Sequence, residues 1–188
     1  MNFKIFEEGI KREVLKDLEP IRNFSHKLGL SVSFTPEKQL KNGISYSAQA
    51  GLFKIPLESK IEAQISNLAH ELGHYIVAMP EDRKKDNFGL GPSPDDEMSS
   101  YWMAENDGQS SLNYRSLVSN TVSHEIETKA SMAGLILEYL LGYSPLFTYV
   151  HHGWDTQDSK GASLETVFNL VIKDVQTFYQ TVTGIQIE

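Results

Sequence analysis

The residues with the clearest chemical potential are two histidines and a glutamate in the stretch His70-Glu71-Leu72-Gly73-His74, an HExxH pattern. Residues four apart on an α-helix differ by about 40° in direction and about 6 Å along the axis, so both imidazoles can meet at one ion. Glu71 projects beside them and can reach a metal-bound water, as a base or through a hydrogen bond. The pattern therefore predicts a centre for one divalent metal ion.

The alternative is that both histidines are core residues satisfied by their neighbours, because a short pattern of this kind also arises by chance. Two features favour metal binding. The pattern lies within a strongly periodic helix, and Ala69 and Gly73 leave room around the imidazoles. We therefore assign His70 and His74 as metal ligands and Glu71 as the catalytic residue.

A third protein ligand is required, because two histidines alone make a weak metal site. The best candidates are His124, Glu125 and Glu127, which cluster near the start of the next apolar helix. An acid on an apolar helix is costly to bury unless it is paired or ligating. A helix-terminal acid can also be an exposed charge that interacts with the helix dipole. Spacing alone leaves the choice among the three open.

The helix that carries the pattern is predicted from its apolar stripe and its ends. Ser59 and Glu62 have the spacing of a capping box, and Met79-Pro80 ends the periodicity. The apolar residues recur at steps of three and four, which marks one buried helix face. They are Ile61, Ile65, Leu68, Leu72 and Ile76.

The remaining elements predict an α+β fold, a helix-rich single domain over residues 1–188 with the metal site between two core helices. Further helices are expected over 3–29, divided by Pro20, from Ser123 to Gly142, and from Ser163 onward. Three short strands, at 31–35, 44–47 and 52–56, predict a small antiparallel sheet. Residues 81–121 form a long polar loop near the site, too long for a passive connection, so we expect either a functional lid or a partly disordered segment.

The composition and charge of the chain argue against several classes of function. The chain has 188 residues, a formal net charge of -8 and no cysteine, which excludes disulfides and thiolate metal sites. The negative charge repels phosphate backbones, so we expect no nucleic-acid partner. No apolar stretch has the length needed to span a bilayer, so we expect no membrane partner. The N-terminus has no signal-peptide pattern, which makes the cytoplasm the expected location.

The chain resembles the bacterial elongation factor P hydroxylases, which modify a lysine-derived side chain on that translation factor. The likeness covers roughly residues 65 to 180 and depends on the order and spacing of several short pieces. These are His70-Glu71-x-x-His74, Phe88-Gly89, Glu127-x-Lys129, Gly142-Tyr143 and Ile172-Lys173-x-x-Gln176-x-x-Tyr179.

This resemblance implies that His70, His74 and Glu127 are the metal ligands, a set suited to non-haem iron and oxygen chemistry. It implies a metal-dependent hydroxylase acting on a protein substrate, with iron as the favoured ion. The segment between Gly89 and Glu127 is longer than in that family, so the substrate can differ. His124, one turn before Glu127, is a further candidate ligand or a partner of the ligands.

A second resemblance supports a different reaction. The stretch from Leu68 to Tyr75 is similar to zinc metallopeptidases that cleave phage repressors and stress-response regulators, whose third ligand is likewise a glutamate on the following helix. It implies a zinc-dependent metallopeptidase or hydrolase in which Glu71 takes a proton from a metal-bound water. The likeness fades after Tyr75, and neither Phe88-Gly89 nor Gly142-Tyr143 has a place in it.

Overall fold

Six α-helices and three β-strands are present in the residues that the computed structural model describes, which are 1–9, 17–36, 46–57, 60–90, 120–152, 154 and 163–187. The helices are α1 (Phe3–Gly9), α2 (Glu19–Lys27), α3 (Ile61–Val77), α4 (Asn120–Leu140), α5 (Leu146–His151) and α6 (Leu164–Thr183). The strands are β1 (Ser31–Thr35), β2 (Tyr46–Ser47) and β3 (Leu52–Pro56). The predicted helix-rich α+β class is confirmed.

The sheet is mixed rather than antiparallel, which corrects the prediction from the sequence. Its strand order is β1-β3-β2, and β2 pairs with β3 in the antiparallel sense. The turn at residues 48–51, with Gly51 at φ 55°, brings β3 back beside β2. On its other edge β3 pairs with β1 in the parallel sense, with Ser31 opposite Leu52. Residues 36–51 separate these two strands, and a connection of that length permits parallel pairing.

Helices α3 and α4 form the centre of the molecule, and glycines let their backbones approach closely. A Cβ atom at Gly73 would lie 2.0 Å from the carbonyl oxygen of Ala130. On the facing helix, a Cβ at Gly134 would lie 2.7 Å from the carbonyl oxygen of Ala69. Only a residue without a side chain fits either position. This contact brings the HExxH face of α3 against the first half of α4.

One cluster of buried apolar side chains surrounds the α3–α4 pair and includes residues from the sheet and from helices α1 to α4 and α6. Helix α6 packs against α3 and α4. The hydroxyl of Ser163 caps α6 by accepting from the backbone N–H of Thr166. Gly184, at φ 73°, ends the helix in the left-handed conformation that glycine adopts without strain. No helix in the described ranges combines the length and apolar character needed to cross a membrane.

Several predicted boundaries are shifted. Helix α4 begins at Asn120, three residues before the predicted start, and α5 was not predicted. The N-cap of α3 is Lys60 and makes no side-chain capping bond, while Ser59 of the predicted capping box lies outside the described residues. Pro20 lies in the first turn of α2, which confirms that it divides the N-terminal helical segment.

The first ten residues of the predicted loop 81–121 are folded into a short 3₁₀ helix at Asp82–Lys84 and a tight turn at Asp86–Gly89. The Arg83 side chain donates from Nε to the carbonyl of Tyr75 and from Nη2 to that of Ile76, which satisfies acceptors at the end of α3. Because the polar side chain of Arg83 bonds to backbone groups of α3, this segment is ordered although its composition is typical of a loop. Residues 91–119 lie outside the described part of the chain.

Candidate metal centre

Three side-chain atoms from α3 and α4 meet at the α3–α4 contact. The Nε2 atoms of His70 and His74 lie 3.1 Å apart, and Oε2 of Glu127 lies 3.2 Å from each. His74 is buried, whereas the side chains of His70 and Glu127 are 23% and 37% exposed. Among the described residues this is the one group of histidines and acids arranged to hold a metal ion.

No arrangement of protons satisfies the three contacts together. Each Nε2 carries one hydrogen or one lone pair, and an ionised carboxylate oxygen carries lone pairs alone. If both Nε2 atoms carry hydrogens, His70 and His74 face each other as two donors. If one lacks its hydrogen, it can accept from the other histidine, but its lone pair then faces the lone pairs of the Glu127 oxygen and that contact is unsatisfied. A single cation among the three atoms is coordinated by all of their lone pairs, so the residues fit a metal ion.

The distances within the group also suit a metal ion. With metal–nitrogen bonds of about 2.0–2.1 Å, two ligands of a tetrahedral ion lie about 3.3 Å apart, and neighbouring ligands of an octahedral ion lie about 3.0 Å apart. The observed separations of 3.1 and 3.2 Å fall between these values. Both geometries, and therefore both iron and zinc, are compatible with the arrangement.

The protonation of the group is governed by burial and by the contacts within it. Burial lowers the pKa of His74, but the hydrogen bond and negative charge of Glu127 and the charge of Glu71 outweigh it and raise that pKa. Burial raises the pKa of Glu127, but the hydrogen bonds and charges of His70 and His74 bring it well below its usual range. Glu127 is therefore ionised at neutral pH, as a ligating carboxylate must be.

Glu71 lies beside the group and outside it. Its side chain is half-buried, and its charge acts on His74. It is not one of the three residues whose ligand atoms converge. A carboxylate in this position is suited to accept or deliver a proton at the edge of the centre.

The structure resolves the choice that spacing left open between Glu125 and Glu127. Glu125 is 62% exposed and its Oε1 accepts from Nζ of Lys129 at 2.6 Å, one turn along α4. Glu125 is therefore directed to the half-buried Lys129 and to solvent, and it does not face the histidines. Glu127, two residues along, faces α3. The His124 side chain lies outside the described residues.

Aromatic rings hold His74 in place. The ring of Phe88 stacks on the His74 imidazole, with ring centroids 5.6 Å apart and an angle of 15° between the ring planes. The Tyr46 ring in turn stacks on Phe88, with centroids 4.5 Å apart. Phe88 has a φ of 55° and the preceding Asn87 a φ of 45°, a left-handed conformation that is costly for residues other than glycine. The stack and a hydrogen bond from the Tyr46 N–H to Asn87 Oδ1 offset that cost.

A second polar group, which was not predicted from the sequence, lies next to His70. Nδ1 of His152 is 2.8 Å from Oγ of Ser131, and its Nε2 is 3.3 Å from Oγ of Ser66. Trp154 donates from Nε1 to the same Ser131 oxygen at 2.9 Å. No spacing in the sequence connects these four residues, because they belong to α3, α4 and the segment after α5. The His151-His152 pair was the one available signal.

Three of the residues on which the resemblance to the elongation factor P hydroxylases depends lie against the metal centre or at the end of α4. Phe88 lies against His74, and Gly142 follows α4 with a φ of 86°. Tyr143 is buried and donates its hydroxyl hydrogen to the carbonyl of Asp17 at 2.6 Å. Comparison of the chain with protein-family models, curated proteins and solved structures finds no match, so the resemblance depends on these sequence features alone.

Proposed function

We propose that this protein is a metal-dependent hydroxylase that binds one divalent ion, iron in preference to zinc, through His70, His74 and Glu127. The observation that carries the proposal is the convergence of two imidazole nitrogens and one carboxylate oxygen within 3.2 Å. Such a set holds an ion by one face and leaves the opposite face for oxygen and substrate, as in non-haem iron oxygenases. The ordered resemblance to the elongation factor P hydroxylases supports the same chemistry.

The proposed substrate is a lysine-derived side chain of a protein, such as a translation factor, in the cytoplasm. One atom of O₂ enters a C–H bond to give an alcohol and the other leaves as water, with two electrons and two protons from an external reductant. The ion supplies oxygen activation when bound. The three ligand residues would hold the ion, Phe88 stacks on the His74 ring, and Glu71, whose charge acts on His74, would hold or deliver a proton at the edge of the centre.

The test begins with the metal content of protein purified without chelators. Iron(II)-loaded protein is then mixed with a reductant, O₂ and a translation factor that carries the lysine-derived side chain. We expect a mass gain of one oxygen atom on that substrate, absent without O₂ and absent with zinc-loaded protein. Protein that contains zinc alone, together with no oxygen-dependent mass gain after iron loading, would contradict the proposal.

A zinc-dependent metallopeptidase or hydrolase is the second candidate, and Glu71 favours it. This carboxylate lies beside the ligands without being one of them, as a base that takes a proton from an attacking water must. On this reading, Glu71→Gln lowers peptide hydrolysis by zinc-loaded protein about a hundredfold or more and leaves zinc bound. Hydrolysis at the wild-type rate in Glu71→Gln would exclude the hydrolase.

A further inference from the structure

The four-residue group of Ser66, Ser131, His152 and Trp154, here called the serine–histidine group, connects the two helices that carry the metal ligands. Ser66 lies on α3 one turn before His70, and Ser131 lies on α4 one turn after Glu127. His152 contacts both hydroxyls, through Nδ1 to Ser131 and Nε2 to Ser66. One imidazole therefore ties the histidine helix to the carboxylate helix next to the metal centre.

Hydrogen bonds hold the His152 ring between the two serines. An indole N–H can only donate, so the Ser131 oxygen accepts from Trp154. The Ser131 hydroxyl hydrogen can then be donated to Nδ1 of His152, which leaves the hydrogen on Nε2 directed at the Ser66 oxygen. Both serines are buried, at 0% and 2% exposure, so neither hydroxyl is available to a substrate as a nucleophile. The serine–histidine group is therefore suited to hold α3 and α4 in position beside the metal centre.

His70 needs such support because its own ring lacks the usual anchor. A metal-ligating histidine normally donates its second ring nitrogen to a carboxylate or carbonyl, which fixes the ring orientation. Nδ1 of His70 is buried and has no hydrogen-bond partner in the described part of the chain. Ring contacts take the place of that bond. The His152 ring meets the His70 ring edge to face at 5.1 Å and 86°, and His74 contacts it at 4.7 Å.

We propose that His152 is a positioning residue for the metal centre, which fixes the His70 ring by direct contact and sets the distance between α3 and α4 through Ser66 and Ser131. The inference rests on the metal centre proposed above and assigns His152 no contact with the ion. It applies whichever reaction the centre carries out.

The test compares His152→Ala with the wild-type protein, both in the full chain and free of metal at the start. Zinc affinity is measured by competition with a chromophoric chelator, and the visible spectrum of cobalt-loaded protein reports the ligand geometry. Residues that orient metal ligands contribute about ten- to a hundredfold to affinity. We expect His152→Ala to raise the zinc Kd at least about tenfold and to alter the cobalt spectrum.

Trp154→Phe is the matched control, because it removes a hydrogen bond to Ser131 and leaves the His152–His70 contact in place. We expect it to lower the melting temperature of the metal-free protein while the zinc Kd and cobalt spectrum stay at wild-type values. His152→Phe keeps a ring against His70 but loses both serine contacts. The zinc Kd of His152→Phe should lie between those of the wild type and His152→Ala. If His152→Ala does not fold, the zinc Kd and cobalt spectrum of His152→Phe are compared with the wild type instead.

Two results would overturn the inference, and they are distinguishable from failure of the metal centre itself. If the wild-type protein binds zinc but its Kd and cobalt spectrum are unchanged in His152→Ala, His152 has no positioning role. If Trp154→Phe weakens zinc binding as much as His152→Ala, the effect belongs to general packing and not to the His70 contact. Absence of zinc and cobalt binding by the wild-type protein would instead remove the metal centre and the inference together.

Discussion

Glu125 and Glu127 stand two residues apart on α4, yet their surroundings give them opposite roles. Glu125 reaches Lys129 in solvent, where an ion pair of this kind contributes little to stability. Glu127 lies 3.2 Å from two imidazole nitrogens, one of them on a buried ring. The same functional group is thus a surface charge at one position and part of the candidate metal centre at the other, which allows a matched comparison.

We expect Glu127→Gln to raise the zinc Kd about a hundredfold or more, because it replaces a charged ligand with a neutral one in a three-ligand site. Glu125→Gln makes the same chemical change on the solvent side of α4 and should leave the Kd within about twofold of wild type. Chelator competition at constant pH measures both values. Equal zinc affinities in the two variants would show that Glu127 does not ligate the ion.

At the scale of the elements, the close contact of α3 and α4 determines whether the ligands meet. Glu127 and the two histidines belong to different helices, so their separation follows the distance between the helix axes. Gly73 lies on α3 between the histidines in sequence, with its Cα facing the carbonyl oxygen of Ala130 on α4. Close packing of the backbones is therefore a structural condition for metal binding as well as for folding.

Gly73→Ala should push α3 and α4 apart, because its Cβ would lie 2.0 Å from a backbone oxygen that cannot rotate away. We expect destabilisation of about 3 kcal/mol or more and loss of measurable zinc binding. Gly184→Ala is the control. It introduces strain at φ 73° but meets open space, and should cost about 1 kcal/mol without affecting zinc. Urea denaturation and zinc titration report the two effects, and wild-type zinc binding by Gly73→Ala would contradict this account.

At the scale of the whole molecule, Glu138 links stability to pH. Its side chain is fully buried on α4, away from the metal ligands, and Oε1 accepts from the Thr148 hydroxyl at 2.6 Å. Burial raises its pKa to about 8, against the lowering effect of the Thr148 bond. The folded protein therefore retains a proton that the unfolded chain releases above its ordinary pKa of 4.5. Stability is lost as pH rises from about 4.5 through about 8.

Glu138→Gln imitates the protonated acid and should remove this part of the pH dependence. We expect the free energy of unfolding of Glu138→Gln to exceed that of the wild type increasingly from pH 5 to pH 8, with the wild type losing stability on the alkaline side. Denaturant unfolding of metal-free protein across that range measures the difference. Glu7 is exposed on α1, so the free energy of unfolding of Glu7→Gln should change with pH as that of the wild type does. If Glu138→Gln also shows the wild-type pH dependence, the prediction is wrong.

The sequence predicted those features that depend on local spacing. The α3 stripe, the strands at 31–35 and 52–56, the start of the last helix near Ser163 and the shared helix face of His70 and His74 all follow from residues close together in the sequence. Mixed sheet pairing, helix α5 and the ordered segment 82–89 were not predicted. The parallel pairing joins β1 to β3 across residues 36–51, and the segment 82–89 accepts backbone hydrogen bonds from Tyr46 and Ala48 through Asn87 and Asp86. Composition does not report contacts between residues so far apart in the sequence.

By itself, the sequence determined that the two histidines lie on one face of a helix with Glu71 beside them, because helical geometry converts their spacing into direction. Spacing within α4 did not choose between Glu125 and Glu127, and the family resemblance named Glu127 without a physical reason. Only the tertiary structure decided that choice, since Glu127 is the acid that faces α3 and joins the two histidines once Gly73 and Gly134 bring the backbones together. The contact of His152 with His70 likewise exists only in the folded chain.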